Sequence, residues 1–477
     1  MSEGLDAATK SRALGCVLGS AVGDALGAPY EFGPPGRYSA RFPEPVLGGS
    51  GEMVPGGPWE AGEATDDTQM AVIEAESLLE AGGIDEALIY DRFVRWAEDR
   101  ATKDVGISTR QALHDPGGWR DGSRRVAERT GKGAGNGSIM RAAPSAVWLT
   151  LHPDGQAVDR DAAAIRLSAV THGDPLAGWG RVILHRIVGA SLEGDDGFAA
   201  IPAALEALPA TARDRYRPLL APGWQPEPGQ PNGVVWTCLA QAVWAVRSST
   251  TFEEAMRKTI DLGNDTDTVA AVAGSIAGAH WGMAAIPSRW TAYLHLRVPI
   301  DDGYRHYDAE DLQDLTRRLF GAEPTPFTLP APVGPAEIES GVHAASMTAA
   351  ATVPTDWGVV SLSRTGDRFD RHDYRRAVFL IDQPGANPDL VATVTEAVDA
   401  IDAFVEEGRN VVVHCHGGHS RTGFILRAWL MRRHGWDEPK ARAFLAERWP
   451  HLALWQDEFT DFLQGAWTEK CPTQPIP

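Results

Sequence analysis

Two short clusters of Asp and Thr, Thr65-Asp66-Asp67-Thr68 and Asp265-Thr266-Asp267-Thr268, stand far apart in the chain. Together they offer four carboxylates and several hydroxyls, all hard oxygen ligands. That donor set suits Mg²⁺ or Mn²⁺ better than zinc, which prefers His and Cys. One such cluster is an ordinary helix cap. Two, each opening an expected helix, carry more weight, because adjacent carboxylates repel one another unless a cation neutralises them. Brought together by the fold, they would hold two metal ions that activate a water or polarise substrate hydroxyls.

A second constellation lies near the other end: His414-Cys415-His416-Gly417-Gly418-His419-Ser420-Arg421-Thr422-Gly423. An expected strand runs into it and an expected helix leaves it. Backbone amides of Gly417, Gly418, His419 and Ser420, with the helix dipole behind them, form an anion cradle. Arg421 can clamp two phosphate oxygens. The same positive field favours the thiolate of Cys415, an in-line nucleophile for a phosphate above it. Breaking the phosphoester then needs an acid for the leaving group. Asp382 and, as a rival, Asp389 follow the upstream apolar run ending at Ile381, with Asn387 between them.

The elements that position these groups fall into two kinds. Residues up to about 320 read mainly as helices: Leu14, Val17, Leu18, Ala21, Val22 and Ala25 recur at helical spacing. A second helix is expected from the Thr65 cap to Gly82-Gly83, and a third from near Asp267, where Ala270, Ala271, Ala273, Gly274, Ala277 and Gly278 permit close approach. The stretches 34–58 and 222–231 read as surface loops. The segment 324–335 has five prolines and reads as a linker. After it come strands at 357–362, 377–381 and 410–414. Helices are expected at 388–407 and 421–434, with two more between Glu438 and Trp467. The fold class expected is therefore multidomain: an all-α domain over 1–322, a Pro-rich linker over 323–345, and an α/β domain with a mostly parallel sheet over 346–477.

Composition narrows the partners. With 44 basic and 64 acidic residues the formal charge is −20, which disfavours nucleic acid and anionic membranes. Four cysteines form no CxxC pair, so neither a zinc site nor a disulfide framework is expected. The N-terminus lacks the apolar core of a signal peptide, and no apolar run is long enough for a membrane span. A reduced cytoplasm is the expected compartment, and Cys415 would need one.

Residues from about 10 to 300 resemble the ADP-ribosylglycohydrolases. The resemblance rests on Gly19-Ser20-Ala21-Val22-Gly23-Asp24-Ala25-Leu26-Gly27 with Glu31, on the cluster at 65–68, on Gly135-Asn136-Gly137-Ser138-Ile139-Met140-Arg141, on Thr171-His172, and on Gly263-Asn264-Asp265-Thr266-Asp267-Thr268. It implies that Thr65, Asp66, Asp67, Asp265, Asp267 and Thr268 hold two magnesium ions. It places Glu31 over the scissile bond, with Asp66 and Asp67 in the catalytic centre, and the loop bearing Gly135, Asn136, Gly137 and Ser138 against ribose and diphosphate. His172 is either a ribose contact or a satisfied core histidine. Asp24 reads as a hydrogen-bond hub, and Arg141 as a surface charge or a group near the diphosphate. Asn264 stands where Gly is frequent, and Asn tolerates left-handed backbone.

Residues from about 350 to 470 resemble the cysteine-dependent phosphatases, in particular the compact dual-specificity branch. By that resemblance Cys415 attacks, Arg421 binds phosphate, Asp382 is the acid, Thr422 helps the thiolate leave, His414 orients the loop, and no cofactor is required. His416 and His419 stand where some relatives carry Lys, which disfavours a highly phosphorylated inositide. The expected protein is a bifunctional hydrolase, acting on an ADP-ribosylated protein or small molecule and on a phosphomonoester. The alternatives are that one domain only reads ADP-ribose or phosphate, or that both act in turn on a phosphorylated ADP-ribose derivative.

Overall fold

The computed structural model describes the chain except residues 1–4, 47–50, 228, 301–302, 323–328, 364, 370, 379, 383–386, 388–389 and 471–477. It divides into two compact units. One is Met1–Glu44, Glu52–Ile286 and Tyr293–Pro324; the other is Pro45–Gly51, Pro287–Ala292 and Thr325–Pro477.

The first unit is helical, as expected, with one addition. Strands β1 (His295–Ile300) and β2 (Gly303–Asp308) pair antiparallel as a hairpin. Its centre is the crossing of the Ala7–Gly27 and Thr266–Trp281 helices. Small residues at every fourth position make that crossing close. A Cβ on Gly19 would lie 2.4 Å from the Gly274 carbonyl oxygen, and one on Gly278 would lie 1.8 Å from that of Gly15. The Asp66–Ala81 helix starts and stops where the sequence says. The Thr65 hydroxyl caps it by accepting from the Asp67 N–H, and Gly82 ends it at φ 59°. The stretch expected as loop at 34–58 includes a short helix, Arg37–Arg41.

The second unit has a five-stranded sheet in the order β3-β4-β7-β5-β6, with only the β3–β4 pair antiparallel. The strands are β3 (Ala336–Glu339), β4 (Val342–Ser346), β5 (Gly358–Ser361), β6 (Tyr374–Ala377) and β7 (Val411–Cys415). Central β7 is wholly buried, and the Leu390–Glu406 and Ser420–His434 helices pack on the sheet through Val394, Val398, Ile401, Phe424 and Trp429. Two expectations change. Strands β3 and β4 occupy 336–346, nearly all of it expected as linker. The strand expected at 377–381 is instead Tyr374–Ala377, because edge strand β6 is built on Tyr374, Arg375 and Arg376. Residues 287–292 join this unit through hydrogen bonds from the Arg375 Nε to the Ala292 carbonyl (3.2 Å) and from the Arg289 N–H to Glu396 (3.0 Å). Among the described residues no helix is long and apolar enough to cross a membrane.

Candidate functional site

In the first unit, the helix crossing sets the two Asp/Thr clusters. A Cβ on Gly27 would lie 2.5 Å from the Asp267 Cα, and the Thr266 hydroxyl donates to the Gly27 carbonyl at 2.9 Å. Glu31, Asp265 and Asp267 each offer a carboxylate oxygen, all within 4.8 Å of one another. Asp66 and Asp67, both buried, approach from the Asp66–Ala81 helix. Asp24 is the hub the sequence suggests: its carboxylate accepts from the Thr65 N–H (3.0 Å), the Thr68 N–H (3.1 Å) and the Thr68 hydroxyl.

The carboxylates shift one another. Burial first, then Asp265, Asp104 and Asp24, push Glu31 up to about 8. Burial holds Asp66, Asp67 and Asp267 well above the usual carboxylate range, and the surrounding carboxylates add to it. Asp67 Oδ2 is buried without a hydrogen-bond partner. Such a set is stable as anions only around a cation, so the donors fit a divalent metal with oxygen preference. Thr65 and Thr268 flank the group. The Thr65 hydroxyl already accepts from the Asp67 N–H (3.3 Å), and the Thr268 N–H donates to Asp267 (2.9 Å).

The 135–141 loop reaches the cluster. Asn136 Nδ2 donates to Asp265 Oδ2 at 2.8 Å, and Asn232 Oδ1 accepts from the Asp265 N–H at 3.0 Å. Ser138 is fully buried. His172 is also buried. Its Nδ1 lies 2.8 Å from the Thr171 hydroxyl, and its ring lies against Gly135 and Gly137, where a Cβ would meet it at 3.1 and 2.7 Å. Burial, then the Arg141 and Arg181 charges, push its pKa down to about 3, so the ring is neutral. Arg141 is not a surface charge. It is fully buried, pairs with Glu74 at 3.3 Å, and holds the Gly137 carbonyl at 2.7 Å. Sequence reasoning missed Asp104 and Asn232. Each is a lone residue in a loop, and no local signal marks it.

In the second unit, Cys415 ends β7 and is 3% exposed. The loop beyond it is held from three sides. The Met347 N–H donates to the His416 carbonyl (3.0 Å), Trp449 Nε1 donates to the Gly418 carbonyl (2.8 Å), and Gly418 adopts φ 80° where a Cβ would lie 2.8 Å from the Ala345 carbonyl oxygen. His414 Nδ1 lies 3.1 Å from the Cys415 carbonyl, which can only accept. Nδ1 therefore carries the proton and Nε2 accepts from the Ser361 hydroxyl at 2.7 Å. His419 Nδ1 likewise donates to the His451 carbonyl (2.8 Å), and its ring lies beside Gly417.

Arg421 is aimed by two carbonyls: Nη1 donates to Leu380 (3.1 Å) and Leu362 (3.3 Å), while Nε is buried with no hydrogen-bond partner. Asp382 stands 3.8 Å from that Nε and accepts from the Ser420 hydroxyl at 2.9 Å. Asn387 holds the Asp382 turn through two 2.8 Å bonds to the Ile381 backbone. Thr422 Oγ1 is buried and free of hydrogen bonds. The rival acid, Asp389, lies outside the described residues.

A model of the ADP-ribosylglycohydrolase family matches residues 5–327, and a model of the dual specificity phosphatase catalytic domain matches residues 371–463. The ADP-ribosyl-[dinitrogen reductase] glycohydrolase of Rhodospirillum rubrum is 31% identical over 290 residues, covering 60% of this chain and 91% of its own length. The ADP-ribosylarginine hydrolase Tri1 of Pseudomonas putida (strain GB-1) is 32% identical over 293 residues, covering 58% and 73%. A solved structure described as an ADP-ribosylglycohydrolase-related protein complex is 34% identical with a TM-score of 0.51, covering 66% of this chain and 98% of its own. The first of these families is metal-dependent, in keeping with the acidic centre. The protein belongs to the ADP-ribosylglycohydrolase family, and both of its domains belong to hydrolase families.

Proposed function

We propose that the first domain removes ADP-ribose from a modified arginine on a protein, using two Mg²⁺ ions, and that the second hydrolyses a phosphomonoester through a phosphocysteine. The observation that carries the first half is the convergence of the Glu31, Asp265 and Asp267 carboxylates within 4.8 Å, beside buried Asp66 and Asp67. The activities for which the Rhodospirillum rubrum and Pseudomonas putida relatives are named favour a protein-linked, arginine-type substrate.

Bound there, the ions would neutralise the carboxylates and polarise oxygen ligands. Thr65, Asp66, Asp67, Asp265, Asp267 and Thr268 are the residues that would hold them. Asn136 fixes the Asp265 carboxylate by donating to it, and Asn232 fixes the Asp265 backbone by accepting from its N–H. The loop at Gly135, Asn136, Gly137 and Ser138 offers backbone donors to the diphosphate, and neutral His172 supports that loop from behind. Glu31 takes the proton of the attacking water as oxygen bonds to the anomeric carbon and the carbon–nitrogen bond breaks. The departing nitrogen takes that proton back from Glu31.

In the second domain the Cys415 Sγ attacks phosphorus while the leaving oxygen takes a proton from Asp382. Arg421 and the amides of Gly417, Gly418, His419 and Ser420 hold the equatorial oxygens. Water then cleaves the sulfur–phosphorus bond, and the Thr422 hydroxyl donates to the departing thiolate. The Nε of Arg421, which makes no hydrogen bond beside Asp382, and the Oγ1 of Thr422, likewise without one, support these roles. Reciprocal variants test the pair. Asp66→Ala should abolish ADP-ribose release and spare turnover of an aryl phosphate, and Cys415→Ser should do the reverse. Loss of both activities in either variant would overturn two independent sites.

A further inference from the structure

One aromatic ring in the first domain is explained by neither packing nor backbone preference. Phe32 is 82% exposed, although it directly follows Glu31 of the acidic centre. Its backbone sits at φ 55°, a region that bulky side chains avoid. Two hydrogen bonds hold it there. The Phe32 N–H donates to the Asn264 carbonyl at 2.6 Å, and the Asn264 N–H donates to the Gly33 carbonyl at 3.0 Å. Asn264 is itself left-handed, at φ 61°, and precedes Asp265. The loop carrying Glu31 is thus tied to the loop carrying Asp265. The fold accepts an unfavourable conformation and still leaves the ring in solvent. Strain of this kind gathers where a side chain must face a ligand.

The ring's place on this loop indicates which part of the substrate it meets. Glu31, the residue before it, brings its carboxylate within 4.8 Å of those of Asp265 and Asp267, and the Phe32–Asn264 bond ties the ring's loop to the loop that carries Asp265. An exposed aromatic side chain next in sequence to Glu31 suits a flat cation, which is attracted by the face of the ring. The ADP-ribose moiety is anionic, whereas a guanidinium acceptor is a flat cation. We propose that Phe32 is the acceptor platform: its ring stacks on the guanidinium that the glycosidic bond joins to ADP-ribose, and so selects arginine-linked substrates. This rests on the glycohydrolase reading above and adds the specificity residue to it.

The test uses the full chain with Mg²⁺, an arginine-ADP-ribosylated protein, and free ADP-ribose as a binding probe. Phe32→Asn keeps a residue that tolerates left-handed backbone but removes the ring. It should lower kcat/KM for the modified protein roughly tenfold, the size of a partly desolvated cation–π contact. It should leave the dissociation constant of ADP-ribose unchanged and should not lower the melting temperature. Phe32→Tyr should restore turnover and Phe32→Leu should not, which separates the ring face from mere bulk. Weakened ADP-ribose binding in Phe32→Asn would place the ring on the nucleotide and overturn the proposal. So would unchanged kcat/KM, or full activity in Phe32→Leu. Absence of any release by the unmodified protein would instead sink the glycohydrolase reading itself.

Discussion

Gly27 and Asp267 meet backbone to backbone: a methyl group on Gly27 would come within 2.5 Å of the Asp267 Cα and 2.6 Å of its nitrogen. The end of the first helix therefore locates a proposed metal ligand. Gly27→Ala should destabilise the domain by about 1–3 kcal/mol through overpacking and also displace Asp267. Gly274→Ala, which clashes with the Gly19 carbonyl at 2.0 Å, should cost stability through the same helix crossing. Thermal unfolding beside ADP-ribose release per folded molecule separates the two. Release should fall in Gly27→Ala and persist in Gly274→Ala.

Crowded carboxylates predict an inversion of the usual mutational sign. Without divalent metal, Asp67 carries a buried oxygen with no partner among carboxylates that disfavour its charge. Asp67→Asn removes that charge. It should raise the melting temperature in EDTA, yet abolish the further rise that Mg²⁺ gives the unmodified protein. Equal Mg²⁺-induced rises in both proteins would show that Asp67 does not hold the ion.

His414 should make the phosphatase domain acid-sensitive. Burial, reinforced by the Arg421 charge, pushes its pKa down to about 4 against an ordinary 6.5. Above pH 6.5 the ring is neutral whether folded or unfolded, and the full stability is present. As pH falls below 6.5 the unfolded chain takes a proton that the folded chain refuses until about 4, so stability is lost across that window. The loss is on the order of 3 kcal/mol at most. Hydrogen exchange at Val411–Val413, corrected for intrinsic rates, reads it within the full chain. His414→Gln should flatten the dependence.

Asp382 should matter according to the leaving group. Its Asp382→Ala variant should lose roughly 10²–10⁴-fold on alkyl phosphates, whose oxygen needs a proton to depart. It should lose far less on an aryl phosphate with an acidic phenol. Equal losses on both would assign Asp382 to holding Ser420 and Arg421 rather than to proton transfer.

Local chemistry made much of this legible in the sequence. Thr65 and Gly82 mark the ends of their helix, and Gly435 at φ 63° ends the one after the cradle. The small-residue stripe from Ala270 to Gly278 announced a close crossing, and Asn264 adopts the left-handed backbone that its type permits. What escaped depends on distant partners. Strand β6 is built on Arg375 and Arg376, whose charges hide it, although Arg376 is 1% exposed in the fold. Strands β3 and β4 sit beside proline-rich chain and carry Glu337, Glu339 and His343, so their pairing with each other, and that of β4 with β7, left no hydropathy signal. Arg141 is buried only because Glu74, far off in sequence, neutralises it. Asp104 and Asn232 join the acidic centre through the fold alone.

The most direct test of the account is release of free ADP-ribose from an arginine-ADP-ribosylated protein, followed by mass spectrometry with Mg²⁺, with EDTA, and in Asp66→Ala. The account predicts release with Mg²⁺ that disappears in EDTA and in the variant. Release that persists in EDTA or in Asp66→Ala would contradict the carboxylate-held metal centre, and no release under any condition would contradict the proposed activity.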